Sequence, residues 1–201
     1  MKSDRTAPTM SATCNGGSCA GWFNAAVSFV VSGNDGAGVG MGTATTNIDG
    51  AGAATSAAPR TVTVSGENAA HSVVYSGADA VGNASGNTSQ TVKIDLTAPT
   101  AATGLTGAKG ASAGQINLTW TAGTDALSGV AGYTIHQTGI VASCPATTPA
   151  NYPSTVSVGA VTSTTVSGLT SASKYCFYLT TNDVAGNASA NSAPLGPTMA
   201  K

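Results

Sequence analysis

The sequence predicts an all-β chain folded as two consecutive β-sandwiches, on three grounds: its composition, a repeat of its own junction motif, and runs of period-two alternation. Of 201 residues only 7% are charged and 5% aromatic, and 26 are glycine; Ala, Ser, Thr and Val dominate the rest. Such a mixture suits short β-branched strands joined by tight turns and disfavours helix. A hydrophobic share of 41% is enough apolar surface to oppose ordering entropy, so folding rather than disorder is expected. The length accommodates two domains of ordinary size.

The repeat sets the boundaries. Asp4-Arg5-Thr6-Ala7-Pro8-Thr9 returns as Asp95-Leu96-Thr97-Ala98-Pro99-Thr100, a displacement of 91 residues, which is the length of one sandwich domain. Asp79-Ala80-Val81-Gly82-Asn83-Ala84-Ser85 is echoed by Asp183-Val184-Ala185-Gly186-Asn187-Ala188-Ser189, so both halves end on the same turn. The expected domains are residues 1–97 and 98–201.

In the first half, Val27, Phe29 and Val31 alternate with polar or smaller residues after Trp22, and Val62 and Val64 alternate with threonines. Each run reads as a half-buried strand. Val73 to Tyr75 lead into the Asp79 turn, and Val92 with Ile94 forms a closing strand. The stretch from Gly33 to Pro59 carries no clear period. In the second half Ile116, Leu118 and Trp120 share one face while Gln115, Asn117, Thr119 and Thr121 take the other. Tyr133 with Ile135, Val156 with Val158, Val166, and Tyr175 with Phe177 and Leu179 continue the pattern between Gly, Pro, Ser and Asn turns.

From about Pro99 to Pro197 the chain resembles a fibronectin type III domain. The resemblance rests on the strand-borne Trp120, on Asp125-Ala126-Leu127-Ser128-Gly129-Val130-Ala131-Gly132-Tyr133, and on Gly168-Leu169 followed by Tyr175 and Asp183-Val184-Ala185-Gly186-Asn187. It implies a structural core containing Trp120, Tyr133, Leu169 and Tyr175, with Tyr175 as the corner tyrosine that ties a loop to its strand. The first half, mainly residues 61–100, is similar to bacterial immunoglobulin-like repeats of large surface proteins. There an Asp-x-x-Gly-Asn turn precedes a closing strand and a Thr-Ala-Pro-Thr linker. The Cys14-Asn15-Gly16-Gly17-Ser18-Cys19 loop departs from that pattern. The expected fold class is therefore two tandem immunoglobulin-like/fibronectin type III β-sandwiches.

Four cysteines fall into two local groups, Cys14 with Cys19 and Cys144 with Cys176. Pairing within each group is the simplest of the three connectivities. Zinc would want close pairs with histidine support, yet His71 and His136 lie near neither group in sequence. Two disulfides would place maturation in an oxidising compartment, outside the cell or in a periplasm. A net charge of -1 and the lack of any Lys/Arg run exclude the phosphate-neutralising surface of a nucleic-acid binder. No stretch approaches the roughly 20 apolar residues of a membrane helix, and Met1-Lys2-Ser3-Asp4-Arg5 has no apolar signal core behind it. The C-terminal Leu195-Gly196-Pro197 does not match a sortase signal. The chain reads as a fragment whose anchor lies elsewhere.

Candidate sites are few. Glu67 is the only glutamate, and Asp35, Asp79, Asp125 and Asp183 sit beside glycines in expected turns, where aspartate caps the backbone. Calcium is the sharper alternative: in a fibronectin type III sandwich the Asp125 loop and the Asp183/Asn187 loop emerge at one end, and Asp35 with Asp79 and Asn83 offers the same chance. Calcium takes six to eight oxygens, so two carboxylates plus carbonyls make a weak site. Turn capping is the expected role, and no metal, cofactor or catalytic residue is assigned. His71 and His136 lie in expected strands with no nucleophile motif nearby, and read as surface or edge histidines. Strand parity turns Tyr178 away from Tyr175 and Phe177, and Tyr152 lies in a Pro-rich loop; a sugar-stacking surface is the sharper alternative, but without a surrounding set of Asn, Asp or Trp the pair reads as ordinary isolated surface aromatics. Asn83, Asn87, Asn117 and Asn187 begin Asn-x-Ser/Thr triplets, which arise by chance in a Ser/Thr-rich chain. Lys93, Lys109 and Lys174 lack the buried setting of an isopeptide crosslink.

The expected function is a non-catalytic extracellular spacer, display or adhesion segment of a larger bacterial surface or secreted protein. Neighbouring domains would be its partners, with surface glycans or other proteins as further candidates and no nucleic acid or membrane insertion. Pro99 and the short linker around it should limit reorientation between domains; a broad distribution of end-to-end lengths in scattering would contradict this. The alternatives are a carbohydrate- or protein-binding accessory module, and a self-assembling filament or virion decoration subunit.

Overall fold

The computed structural model describes residues 4–201 and contains only strands, turns and loops among them. The chain divides into two compact units, the first ending at Leu96 and the second running Thr97–Lys201.

The first unit holds β1 (Thr9–Cys14), β2 (Trp22–Phe23), β3 (Val27–Asn34), β4 (Met41–Ile48), β5 (Ala54–Ala57), β6 (Arg60–Val64), β7 (Asn68–Asp79) and β8 (Thr88–Ile94). One sheet has the order β1-β3-β6 and the other β2-β8-β7-β4-β5. All pairings are antiparallel except β2 with β8, which is parallel. Val27, Phe29 and Val31, on one face of β3, are fully buried against Val73, Tyr75, Val92 and Ile94 of the facing sheet. Phe29 and Tyr75 meet edge to face at 5.8 Å between ring centroids, a favoured aromatic geometry.

The Cys14–Cys19 disulfide closes a two-residue hairpin turn. Asn15 (φ 50°) and Gly16 (φ 78°) both take left-handed backbone, and Cys14 and Gly17 exchange hydrogen bonds of 3.0 and 2.8 Å. Asn-Gly is the pair that tolerates two positive φ angles in this tight turn.

The second unit holds β9 (Thr103–Lys109), β10 (Ile116–Thr121), β11 (Val130–Gln137), β12 (Ser154–Gly159), β13 (Ser163–Val166), β14 (Lys174–Asp183) and β15 (Leu195–Met199). Its sheets are β9-β10-β13 and β12-β11-β14-β15, and every pairing is antiparallel. Between them lie Ile116, Leu118 and Trp120 from one sheet and Tyr133, Ile135, Tyr175, Phe177 and Leu179 from the other. Trp120 packs edge to face on Tyr133 at 5.3 Å. Leu169 packs against this core and stays partly exposed. The Thr170 N–H donates to Tyr175 Oη (2.9 Å), tying the loop before β14 to its strand as a corner tyrosine does.

Candidate functional site

Each unit has an Asp-led turn in which carboxylate oxygens take the place of missing backbone partners. In the first, Asp79 Oδ1 accepts from the N–H groups of Val81 (2.9 Å) and Asn83 (2.8 Å), and Oδ2 accepts from Asn83 Nδ2 (2.6 Å). In the second, Asp183 Oδ1 accepts from Gly186 (2.6 Å) and Asn187 (2.7 Å), and Oδ2 from Asn187 Nδ2 (2.8 Å). Ser85 and Ser189 close both turns alike, each side chain accepting from a backbone N–H, that of Gly77 or of Thr181, at 2.9 Å. The sequence echo is therefore an echo of hydrogen bonding. Burial opposes charge on Asp79, but the Asn83 amide and the N–H groups of Asn83, Val81 and Gly82 outweigh it and hold its carboxyl below the ordinary value.

The same turn positions a second acid. Asn83 Nδ2 also donates to the Asp4 carbonyl (3.3 Å), while Asp4 Oδ1 accepts from Thr6 N–H (3.0 Å) and Oδ2 from Val39 N–H (2.9 Å). Asp35 Oδ2 accepts from Gly40 N–H (2.8 Å). Asp4, Asp35 and Asp79 thereby bring carboxylate oxygens within 4.8 Å of one another, beside a cavity of about 460 Å³ lined by Asp4, Asn34, Asp35 and the 36–39 loop. In the second unit, Asp125 Oδ1 accepts from Leu127 (3.1 Å) and Gly129 (2.7 Å), and Asp125 and Asp183 carboxylate oxygens also approach within 4.8 Å. Sequence reasoning paired Asp35 with Asp79 and Asn83 but overlooked Asp4, whose only visible signal was its place in the repeated junction motif.

His71 is not a surface histidine. It is buried, with Nδ1 2.6 Å from Asp49 Oδ2 and Nε2 3.0 Å from the Gly66 carbonyl. Burial disfavours the imidazolium, yet the hydrogen bond and charge of Asp49 and the Gly66 carbonyl prevail and raise its pKa. Asp49 is lowered by the bond to His71 and by Ser72 N–H, which donates to its Oδ1. The raised His71 stabilises the fold fully below its unfolded pKa of 6.5, and loses that stability as pH rises through the folded value. The lowered Asp49 stabilises above 3.8 and loses it as pH falls through its folded value. The melting temperature of the first unit should therefore peak between about pH 4 and 6.5 and fall by about 1–4 °C toward pH 8, a modest size because Asp49 is 41% exposed and screened. Calorimetry across pH checks this; Asp49→Asn should flatten the slope, and an unchanged slope would remove the pair as its source.

Tyr152 and Tyr178 are 1% exposed each, so they are neither isolated surface aromatics nor the sugar-stacking alternative weighed against that reading. Residues 138–153 form a strap across the outer face of β14. Thr138 bonds the Cys176 backbone in both directions (3.0 and 2.9 Å), and the Cys144–Cys176 disulfide staples the strap down. Beneath it Tyr152 meets Tyr178 edge to face at 4.8 Å, and His136, half-buried rather than at the surface, stacks flat on Tyr178 at 4.3 Å. Burial lowers the His136 pKa and raises that of Tyr178; burial and then the Tyr178 charge raise Tyr152. Parity assigned Tyr178 to the correct face but could not show that a loop of Pro, Thr, Ser and Ala covers it.

No protein-family model matches the sequence. Among curated proteins, Exoglucanase A of Cellulomonas fimi is 41% identical over 104 residues, which span 50% of this chain and 10% of that protein. Among solved structures, the FN1-FN3 domains of chicken CNTN1 superpose on 97% of this chain and 68% of their own length, with a TM-score of 0.57 at 17% identity. Crystallised domains of titin do so over 96% and 67%, with a TM-score of 0.55 at 18% identity. The fold class is that of tandem immunoglobulin-like/fibronectin type III β-sandwiches.

Proposed function

We propose that this chain is a non-catalytic spacer or display segment of a larger extracellular bacterial protein, cell-surface or secreted, whose neighbouring domains are its partners. The observation that carries the reading is the likeness to a bacterial exoglucanase that extends over only 10% of that protein: a segment of about one domain shared with a far longer chain is the mark of an accessory module. Two disulfides favour an oxidising compartment. The ionisable groups described above are engaged in folding: Asp79, Asp125 and Asp183 hold turns, and His71 and Asp49 hold each other. The first half is proposed as a bacterial immunoglobulin-like repeat, on the strength of its Asp-led turn and junction motif.

The test combines three measurements on the purified chain: hydrolysis of a panel of β-glucans, retention on insoluble polysaccharides and a glycan array, and sedimentation velocity over a wide concentration range. A spacer gives no hydrolysis, no retention and a constant sedimentation coefficient. Turnover that survives further purification would overturn the non-catalytic reading. Retention would turn the assignment to a binding module, and concentration-dependent sedimentation to a self-assembling subunit.

A further inference from the structure

We propose that Asp4, Asp35 and Asp79 form a calcium site in the first unit, with Asp35 Oδ1 as its central ligand. Three carboxylates whose oxygens lie within 4.8 Å of one another repel, and nothing cationic among the described residues is drawn to them by an ion pair. Capping explains part of the arrangement: Asp79 holds its turn and Asp4 pins the 36–39 loop through Val39. It does not explain Asp35. That residue is 8% exposed, its Oδ2 is engaged by Gly40, and its Oδ1 is buried with no hydrogen-bond donor among the described residues. A buried carboxylate oxygen without a donor is costly and rare. Beside two more carboxylates the missing partner is positive, and a cation satisfies both the orphan oxygen and the repulsion.

The chemistry of the donors selects the ion. All are oxygens, from three carboxylates on three separate segments, the N-terminal strand lead-in, the β3–β4 loop and the end of β7. Loop-borne oxygens of this kind suit calcium, which accepts six to eight ligands in irregular geometry; magnesium demands a near-ideal octahedron and zinc prefers nitrogen and sulfur. Gly38 lets its loop lie against these carboxylates, since a Cβ there would collide with Oδ2 of both Asp4 and Asp35. The inference does not rest on the spacer reading: a catalytic or adhesive chain would hold the same ion.

The test is calcium titration of the full chain after chelator stripping, by calorimetry and by melting, with Asp35→Asn, Asp4→Asn and, as a control outside this site, Asp125→Asn. Affinity in the range of extracellular modules, about 10⁻⁴–10⁻³ M, predicts that about 5 mM calcium raises the melting temperature of the first unit by roughly 5–10 °C. Magnesium at equal ionic strength should do markedly less. Asp35→Asn and Asp4→Asn should each lose one bound equivalent and the shift, whereas Asp125→Asn should keep both. In chelator the order should invert: Asp35→Asn, relieved of one repelling charge, should melt no lower than wild type, which also shows that it folds. The proposal is overturned if the stripped wild-type chain takes up no calcium in this range, or if both variants bind as many ions as wild type.

Discussion

Trp120→Ala is expected to cost the second unit about 3–5 kcal/mol, the range for removing a large buried aromatic and leaving its cavity. The residue is 5% exposed and lies on the inner face of β10 with Ile116 and Leu118, both fully buried. Its ring meets Tyr133 edge to face at 5.3 Å, so the loss combines burial with a specific aromatic contact. For a unit of this size each kcal/mol lowers the melting temperature by about 4–8 °C, so the second transition should drop by more than 10 °C while the first stays put. Trp120→Phe should cost far less, about 1–2 kcal/mol, because the indole Nε1–H has no acceptor among the described residues and its removal strands no partner. Calorimetry of the full chain reads both transitions; an Ala variant within 1 kcal/mol of wild type would mean that the core closes over the gap.

Strands such as β10 and β14 were legible because one face is apolar and the other polar or opposite in role: Ile116, Leu118 and Trp120, or Tyr175, Phe177 and Leu179, mark themselves by a period of two. The span from Gly33 to Pro59 was not, although it contains β4 and β5. β4 reads Met-Gly-Thr-Ala-Thr-Thr-Asn-Ile, and its fully buried apolar residue is Ala44; threonine and alanine carry too little hydrophobic contrast to show which face is inward. Its partner β7 supplies the pattern, through a register that pairs Thr46 with Tyr75 and Ile48 with Val73. That same pairing brings Asp49 to His71 across 22 residues of sequence, a contact invisible to any local reading. The acidic cluster divides similarly. The Asp79 and Asp183 turns were readable as repeated motifs, whereas the convergence of Asp4 and Asp35 on Asp79 depends on where β1, β3 and β7 end in space.

Removing the Cys144–Cys176 bridge by the double change to alanine should destabilise the second unit by about 3–4 kcal/mol. The entropy of closing a loop with a sequence separation of 32 gives this scale; the separation of 5 at Cys14–Cys19 gives about 2 kcal/mol, so the two bridges are not equivalent. The larger effect has a structural signature that a mere entropic crosslink would lack. Cys176 is fully buried in one cluster with Tyr152 and Tyr178, and freeing residues 138–153 uncovers the Tyr178 ring and the stacked His136 and releases Tyr152 with the strap. In the intact chain burial raises both phenols; neutral tyrosine is the form the fold prefers, so this stability is complete below pH 10 and is lost as pH climbs through the raised values. In the variant Tyr152 and Tyr178 should ionise near the ordinary value of about 10, visible as an earlier alkaline rise in ultraviolet absorbance, and the 138–153 segment should become a site of proteolytic nicking. Destabilisation with unchanged tyrosine titration would show that Thr138, Val141 and the strap's own packing hold it down, and that the disulfide acts only on the unfolded chain.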